Sequence, residues 1–382
     1  MQRPIVVLDH AHRQEQFCFS HPLLVIRADT AEQVPPALAS IDAALDAGHY
    51  LAGYFSYELG YLLEPSLASF LPSTRPVPLL WLGVFGPPKT RGAEPGIGEN
   101  SESAEGTGSL MHEWTREDYA ARFSRVQGAI NSGDIYQANL SFRSRFLLTD
   151  DPIRLYAQLR ERAGAPHCAY VDDGDRQILS LSPELFFRVN RDGRIESRPM
   201  KGTAARGTGV ASDAAARAHL RTSPKERAEN LMIVDLVRND IGRIAEIGSI
   251  AVENLFDVET YPTVHQMVST VVGQLKTDVR ASQIIRALFP CGSVTGAPKI
   301  RAMQILSELE SSPRGVYCGA IGYFAPDGSA SFNVAIRTLT VSGDEAELGI
   351  GGAVVHDSRC SSEYEECLLK ARFLQMNRAL SS

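Results

Sequence analysis

Apolar residues recur along this chain with two different periods. Ile5–Leu8, Leu23–Ile26, Tyr50–Tyr57 and Pro78–Phe85 are short apolar runs, and Ile178–Leu181, Leu185–Val189, Val316–Phe324, Ser331–Val341 and Glu347–Val355 repeat the pattern further on. Runs of this length, bounded by turn residues, predict β-strands. Ala31–Ala47, Glu117–Asn131, Pro224–Asn239, Pro298–Leu309 and Glu363–Leu380 instead place apolar residues three and four apart, which predicts helices. Strands and helices do not alternate regularly, and several strands follow one another directly. The pattern therefore predicts an α+β fold with antiparallel sheet.

From Pro87 to Leu110 the composition shifts to Gly, Pro, Ser, Glu and Thr, too polar to order itself by burial. Residues 87–112 are therefore expected to form a flexible loop or linker between an N-terminal part, 1–86, and a longer remainder, 113–382. At 382 residues, 44% hydrophobic and 22% charged, the composition is that of an ordinary globular protein with one large domain. A net charge of -7 leaves no electrostatic footprint for nucleic acid. Cys18, Cys168, Cys291, Cys318, Cys360 and Cys367 include no C-x-x-C pair, which suits reduced thiols in a cytoplasmic protein. The apolar stretch near Met1 is too short for a signal peptide, and no window approaches about 18 apolar residues, so no membrane association is expected.

Lys201, in Arg198-Pro-Met-Lys-Gly-Thr203, is the first candidate for chemistry. An amine is a nucleophile only when neutral, and holding a lysine half-neutral near neutral pH means lowering a pKa of about 10.4 by about 3, or roughly 4 kcal/mol of environment. Burial beside another cation supplies that. Alone, a Lys-Gly-Thr is an ordinary surface segment, so its company decides.

Two helices carry carboxylates beside apolar stripes. Ser223-Pro-Lys-Glu226 is a capping box with proline at the first helical position, and Glu229 then shares a stripe with Met232, Ile233 and Leu236. Such a glutamate either pairs with an arginine or meets another cation. Ser362-Glu-Tyr-Glu365 is a second capping box, and Glu363, Glu366 and Lys370 line up beside the apolar face that follows. Few carboxylates from two helices suit a hard divalent ion, for which Mg²⁺ is the natural candidate.

Phe289-Pro-Cys-Gly-Ser-Val-Thr-Gly-Ala-Pro-Lys299 leads into a helix, so its free N–H groups and the Ser293 and Thr295 hydroxyls are placed to receive a carboxylate or phosphate. The spacing excludes a nucleotide phosphate loop, because Gly296 is followed by Ala-Pro-Lys-Ile. Arg337 lies in a strand pattern opposite in facing to Val334 and Ile336, and is either a carboxylate clamp or a solvated sheet residue. Gly349-Ile-Gly-Gly-Ala-Val-Val355 puts small residues in a strand, where backbone approaches something closely or bulges.

Taken in order, Lys201 and its neighbours, AENLMIVDLVRND (228–240), GSVTGAPKIRAM (292–303), YCGAIGYF (317–324), NVAIRT (333–338) and SSEYEECLLKAR (361–372) resemble the chorismate-utilising enzymes, which include anthranilate, aminodeoxychorismate and isochorismate synthases. The likeness is strong from about Glu113 onward and fainter upstream, where YFSYELG (54–60) is similar to a family N-terminal segment. It implies a four-layer α+β sandwich of two large antiparallel sheets between helices, with residues 1–86 as its N-terminal part and 113–382 as the chorismate-binding catalytic core. By motif, Glu229 and Glu366 match the Mg²⁺ ligands, with Glu363 a carboxylate behind them. Tyr317, Arg337, Lys370 and Thr295, with the Gly202-Thr203 and Gly351-Gly352 backbones, match substrate-binding positions. Glu184, in Ser182-Pro-Glu-Leu185, matches the general acid for the departing C4 hydroxyl, and His265 a ring-facing histidine.

Two positions separate the members. The resemblance places alanine at 201 in anthranilate synthases and a water-activating lysine at 137 in isochorismate synthases, whereas this chain has Lys201 and Gln137. Both choices resemble the enzymes that aminate chorismate to 4-amino-4-deoxychorismate, a p-aminobenzoate and folate precursor, by addition of Lys201 at C2. No glutamine-hydrolysing motif is present in the sequence, so ammonia is expected from a separate glutamine amidotransferase partner. The alternatives are anthranilate synthase activity and a non-catalytic chorismate-binding regulatory subunit. Ala353, Leu185 and Met200 depart from the residues usual at their positions, and Ala353 puts a methyl group beside a substrate-binding strand.

Overall fold

A computed structural model describes residues 4–10, 15–92, 109–261 and 264–374. Among these residues the strands form two ten-stranded sheets in which every pairing between neighbours is antiparallel. The first has Gln137–Leu147 beside Glu345–Val354 and continues through Thr338–Ser342, Gln177–Ser182 and His167–Asp172 to the N-terminal hairpin Ile5–His10 and Glu15–Ser20. The second runs from Met200–Ala205 and Val264–Gln274 through Leu185–Val189, Ala330–Val334 and Ala320–Phe324 to Tyr50–Phe55, Leu80–Phe85 and Leu24–Ala28. Strands from the N-terminal segment thus complete both sheets instead of forming a body of their own.

Three layers of core account for the stacking. Val6, Phe19, Val171 and Ile178 of the first sheet meet Tyr54, Trp81, Ile321 and Tyr323 of the second, so the sheets face each other through one apolar layer. On the far side of the second sheet, Leu38 and Ile41 of helix Val34–Asp46, Ile233 and Val237 of helix Pro224–Gly242 and Ile285 of helix Ala281–Leu288 cover Phe55, Leu82 and Val271. On the far side of the first, Tyr119 of helix Arg116–Asn131, Leu306 of helix Lys299–Leu309 and Tyr364 and Cys367 of helix Cys360–Lys370 cover Leu140, Phe142 and Ile350. The result is the four-layer α+β sandwich expected from the resemblance. Burial on both faces explains why so many strands read as continuous apolar runs instead of alternating.

The structure revises several expected elements. Ser331–Val341 is not one strand: Ala330–Val334 belongs to the second sheet and Thr338–Ser342 to the first, and the chain crosses between them with Arg337 in the left-handed region at φ 49. Both halves are buried, so the apolar pattern runs unbroken across the crossing. Helix Cys360–Lys370 starts two residues before the expected cap Ser362, with Arg359 as its N-cap, and Pro298 is the N-cap of its helix instead of its first residue. Ser223 does cap helix Pro224–Gly242, accepting the Glu226 N–H at 3.4 Å. Within the expected linker, Lys89–Gly92 and Met111–His112 pair with strands of the first sheet, and residues 93–108 lie outside the described residues, as do 375–382 of the expected C-terminal helix. No helix among the described residues is long and apolar enough to cross a membrane.

Candidate active site

Helices from the two opposite outer layers bring their carboxylates to one end of the sandwich, and Lys201 lies between them. It sits on strand Met200–Ala205 at the edge of the second sheet, where the register with Val264–Gln274 slips between Met200 and Thr203. Gly202 takes φ +90 at this slip, a conformation that favours glycine, and a β-carbon there would lie 2.9 Å from the movable tip of Glu226. Gln266 pins the segment, donating from Nε2 to the Gly202 carbonyl at 2.8 Å and accepting from Thr203 Oγ1 at 2.9 Å.

The Lys201 amine makes no hydrogen bond or ion pair with any described residue. Burial lowers its pKa and the charge of Lys370 lowers it further, against the opposing pull of Glu229, Glu184 and Glu366. Lys370 behaves oppositely. Its ammonium is held by Glu366 at 2.8 Å and by the Gly351 carbonyl at 2.9 Å, and although burial opposes charge, Glu366 keeps its pKa raised. The two lysines are thus shifted in opposite directions, Lys370 toward its charged form and Lys201 toward its neutral one.

Glu184 is the carboxyl of the group that burial favours most toward its neutral form. It is 4% exposed, its Oε1 has no hydrogen-bond partner among the described residues, and burial raises its pKa to about 7 despite the opposing Ser293 hydroxyl, Lys201 charge and Met200 amide. Its backbone is fixed by Ser182, whose hydroxyl accepts the Glu184 N–H at 3.2 Å and donates to the Val334 carbonyl at 2.6 Å. The Ser293 hydroxyl lies 3.2 Å from Cys291 Sγ, and Thr295 spends its hydroxyl on the Cys291 and Gly292 carbonyls, both at 3.2 Å.

Around Glu229, like charges accumulate. Burial raises its pKa, as do Glu226 and Glu363, while Lys201 and Lys225 oppose. Glu363 accepts the Ser358 hydroxyl at 2.7 Å, and its pKa is raised by burial and by Glu366. Burial also acts to raise the pKa of Glu366, but Lys370, Lys201 and Lys225 bring it below the ordinary value. Among the described residues no group of three or more His, Cys, Asp or Glu side chains is arranged to hold a metal ion as it stands. Lysines take up the charge instead, Lys225 at 3.8 Å from Glu229 and Lys370 at 2.8 Å from Glu366. Mutually repelling carboxylates with no sulfur or imidazole among them are nevertheless the donor chemistry of a hard divalent ion.

Of the expected substrate-binding residues, Gly352 lies beside Glu363 and Lys370 of this cluster. Arg337 is largely buried, which lowers its pKa, and its guanidinium has no carboxylate partner among the described residues; Tyr261 is the first group that opposes the shift. The Tyr317 ring lies against Gly349, where a β-carbon would come within 2.2 Å of it, so glycine there makes room for the tyrosine. On the same strand, Gly352 faces Glu363 and Lys370, each 3.7 Å from where a β-carbon would stand. His265 is placed differently. It is fully buried, its Nδ1 meets Thr260 Oγ1 at 3.0 Å and its Nε2 meets Asp213 Oδ1 at 2.9 Å. Both ring nitrogens are therefore engaged, within a junction that also binds Arg206 to Asp213 at 2.8 and 3.0 Å.

One set of buried polar residues went unread in the sequence. Gln137, Asn139, Ser141 and Arg143 alternate with Ala138, Leu140 and Phe142 on strand Gln137–Leu147, and the apolar set belongs to the helix-facing core. The polar set therefore faces the other sheet. Gln137 is fully buried with neither side-chain polar atom partnered among the described residues, an arrangement that costs about 1–3 kcal/mol per group unless a ligand supplies the bonds. The signal was the strict alternation QANLSFR, which the resemblance noted only at position 137.

The model of the chorismate binding enzyme family matches residues 3–376. The chain is 50% identical over 243 residues to an aminodeoxychorismate synthase from Streptomyces pristinaespiralis, covering 64% of this chain and 34% of that relative. It is 43% identical over 276 residues to aminodeoxychorismate synthase component 1 of Escherichia coli, covering 71% of this chain and 60% of the relative. The chain thus spans about a third and about three fifths of the lengths of these two curated relatives. Among solved structures it is similar to anthranilate synthase component I from Streptococcus pneumoniae, with a TM-score of 0.82 at 25% identity over 97% of this chain and 92% of that one.

Proposed function

The chain belongs to the chorismate binding enzymes, and from that premise we propose that it aminates chorismate at C4 to give 4-amino-4-deoxychorismate. The observation that supports this reading is the coexistence of Lys201, an amine with lowered pKa and no hydrogen-bond partner among the described residues, with Glu184, a buried acid whose Oε1 has no partner among them and whose pKa is about 7. A nucleophile that must be neutral and an acid that must be protonated coexist near neutral pH only when their environments push both away from charge.

In the proposed reaction the neutral Lys201 amine forms a bond to C2 of the ring. The ring electrons shift, the C4–O bond breaks, and Glu184 gives its proton to the hydroxyl, which leaves as water. Ammonia then bonds to C4 while the C2–N bond breaks and returns its electron pair to Lys201, restoring the ring diene. The proton shed by the new C4 ammonium reloads Glu184. Arg337 and Tyr317 would grip substrate carboxylates, and the unpartnered Gln137 amide offers a further polar contact. Mg²⁺ held by Glu229 and Glu366, with Glu363 behind them, would neutralise a substrate carboxylate beside Lys201.

Ammonia is proposed to come from a glutamine amidotransferase partner, a reading supported by the designation component 1 among the relatives. Six free cysteines, five of them buried, support a reducing, cytoplasmic setting. The test is product identification from chorismate, Mg²⁺ and ammonium. The expected product is non-aromatic and becomes p-aminobenzoate only after aminodeoxychorismate lyase is added. Direct formation of fluorescent anthranilate would favour the alternative synthase, and no turnover with ammonium would favour a regulatory subunit.

A further inference from the structure

Arg314 is 5% exposed and lies outside the reacting groups, yet four of the segments that build the site hang on it. Its Nε and Nη2 donate to Glu310 at 2.8 and 2.6 Å, its Nη1 to the Val294 carbonyl at 2.8 Å and its Nη2 also to the Asn139 carbonyl at 2.6 Å. Val294 precedes Thr295, whose carbonyl accepts the Asn139 N–H at 2.9 Å. Glu310 in turn accepts the Ser141 N–H at 3.0 Å, and Ser141 pairs with Gly351 across the sheet. The turn that follows Arg314 carries Tyr317.

The other half of this hub comes from the N-terminal segment. Glu58, 1% exposed in the turn Tyr57–Leu59, accepts the Arg314 N–H at 2.6 Å and the Gly315 N–H at 3.0 Å, one on each carboxylate oxygen. Tyr57 donates its own N–H to the Gly315 carbonyl at 2.8 Å, and its ring lies 4.3 Å under the Arg314 guanidinium. A carboxylate that accepts two consecutive backbone N–H groups fixes the path of the chain at that point, because displacing either leaves a buried donor unpaired. The direction in which Tyr317 leaves this turn is therefore set by a residue more than 250 positions earlier.

We infer that Arg314 and Glu58 are positioning residues, through which the N-terminal turn Tyr57–Leu59 sets the geometry of the substrate-binding segments at Thr295, Gly351 and Tyr317. The inference rests on the reading of those segments as chorismate contacts. Neither residue touches the reacting groups; each acts through backbone that another residue presents. A buried ionic cluster of this kind adds little to net stability over an apolar replacement, which leaves geometric specification as its contribution.

The test is the dissociation constant for chorismate in Mg²⁺, measured by calorimetry, alongside kcat and melting temperature. Glu58→Gln keeps the shape but offers one acceptor oxygen to two N–H donors. It is expected to weaken chorismate binding about tenfold while kcat at saturation stays within about threefold, and Arg314→Lys, which keeps the charge and loses the fork, should do the same. Tyr57→Phe removes only a hydroxyl that has no partner and should bind as the unaltered protein does. Leu38→Ala, in a helix packed on Leu24–Ala28 and Tyr50–Phe55, should lower the melting temperature without weakening binding. Unchanged binding in Glu58→Gln, or weakening in Leu38→Ala in proportion to its lost stability, overturns the inference. If the unaltered protein binds no chorismate, the reading of the site itself falls and this inference with it.

Discussion

Burial lowers the pKa of Lys201, and the charge of Lys370 acts in the same direction. Lys370 remains a cation because Glu366 and the Gly351 carbonyl hold it at 2.8 and 2.9 Å, and Lys201, with no such partners, bears the consequence. In the proposed reaction the two amines divide the work, since a charged lysine can bind an anion but only a neutral one can add to a ring.

Removing that charge has a signed outcome. The neutral form of Lys201 grows as pH rises through its pKa, so a lowered pKa brings activity in at lower pH. Lys370→Met should move the acidic limb of the kcat/KM profile to higher pH and raise KM, because a substrate-binding cation is lost as well. An acidic limb that stays in place would show that Lys370 does not tune Lys201.

Glu184 governs the other limb. With a pKa of about 7, its protonated fraction, and with it kcat/KM, should fall as pH rises through that value. Glu184→Gln should cost about 10²–10⁴-fold in kcat, the usual worth of a positioned acid. A profile flat from pH 6 to about 9 would contradict the assignment.

The same group should make the protein less stable at high pH. Its folded pKa of about 7 lies above the ordinary value of 4.5, so the unfolded chain ionises first as pH rises. The contribution is intact below the unfolded value and is lost through the folded one, reaching roughly 3 kcal/mol above pH 8 or so. Glu184→Gln should therefore be more stable than the unaltered protein at alkaline pH and not below about pH 4, which urea denaturation at both pH values checks.

How much of this was legible in the sequence depended on whether the cause was local. Strand Leu185–Val189 and the Ser223 cap of the Glu229 helix were readable, because an apolar run and a capping box are properties of neighbours. Ser331–Val341 misleads because burial on both sides of a crossing conceals the crossing, and Arg337, expected within that strand as a carboxylate clamp or a solvated residue, sits at the junction of two sheets. The partner that engages His265 Nε2, Asp213, stands 52 positions away, and the two N–H groups held by Glu58 stand 256 and 257 away. No pattern within a window reports such pairings. The alternating Gln137–Arg143 stripe could have been read, since four polar residues at alternate positions, Gln137, Asn139, Ser141 and Arg143, mark a strand with one polar face.

Arg337 should be intolerant of lysine. Its guanidinium is largely buried without a carboxylate, as expected of a group waiting for a ligand anion, and a lysine supplies charge without the two-pronged geometry. Arg337→Lys should raise KM for chorismate by about 10–100-fold, the worth of one charged hydrogen bond of roughly 1.5–3 kcal/mol, with kcat less affected. An unchanged KM would remove Arg337 from the binding set.

The most direct measurement is mass spectrometry of the protein incubated with chorismate and Mg²⁺ in the absence of ammonia, then denatured and digested. A chorismate-derived adduct that has lost the C4 hydroxyl should appear on the peptide containing Lys201, disappear when ammonium is supplied before quenching, and be absent from Lys201→Ala. No adduct on that peptide, together with undiminished formation of aminodeoxychorismate by Lys201→Ala, would contradict the assignment of Lys201 as the nucleophile.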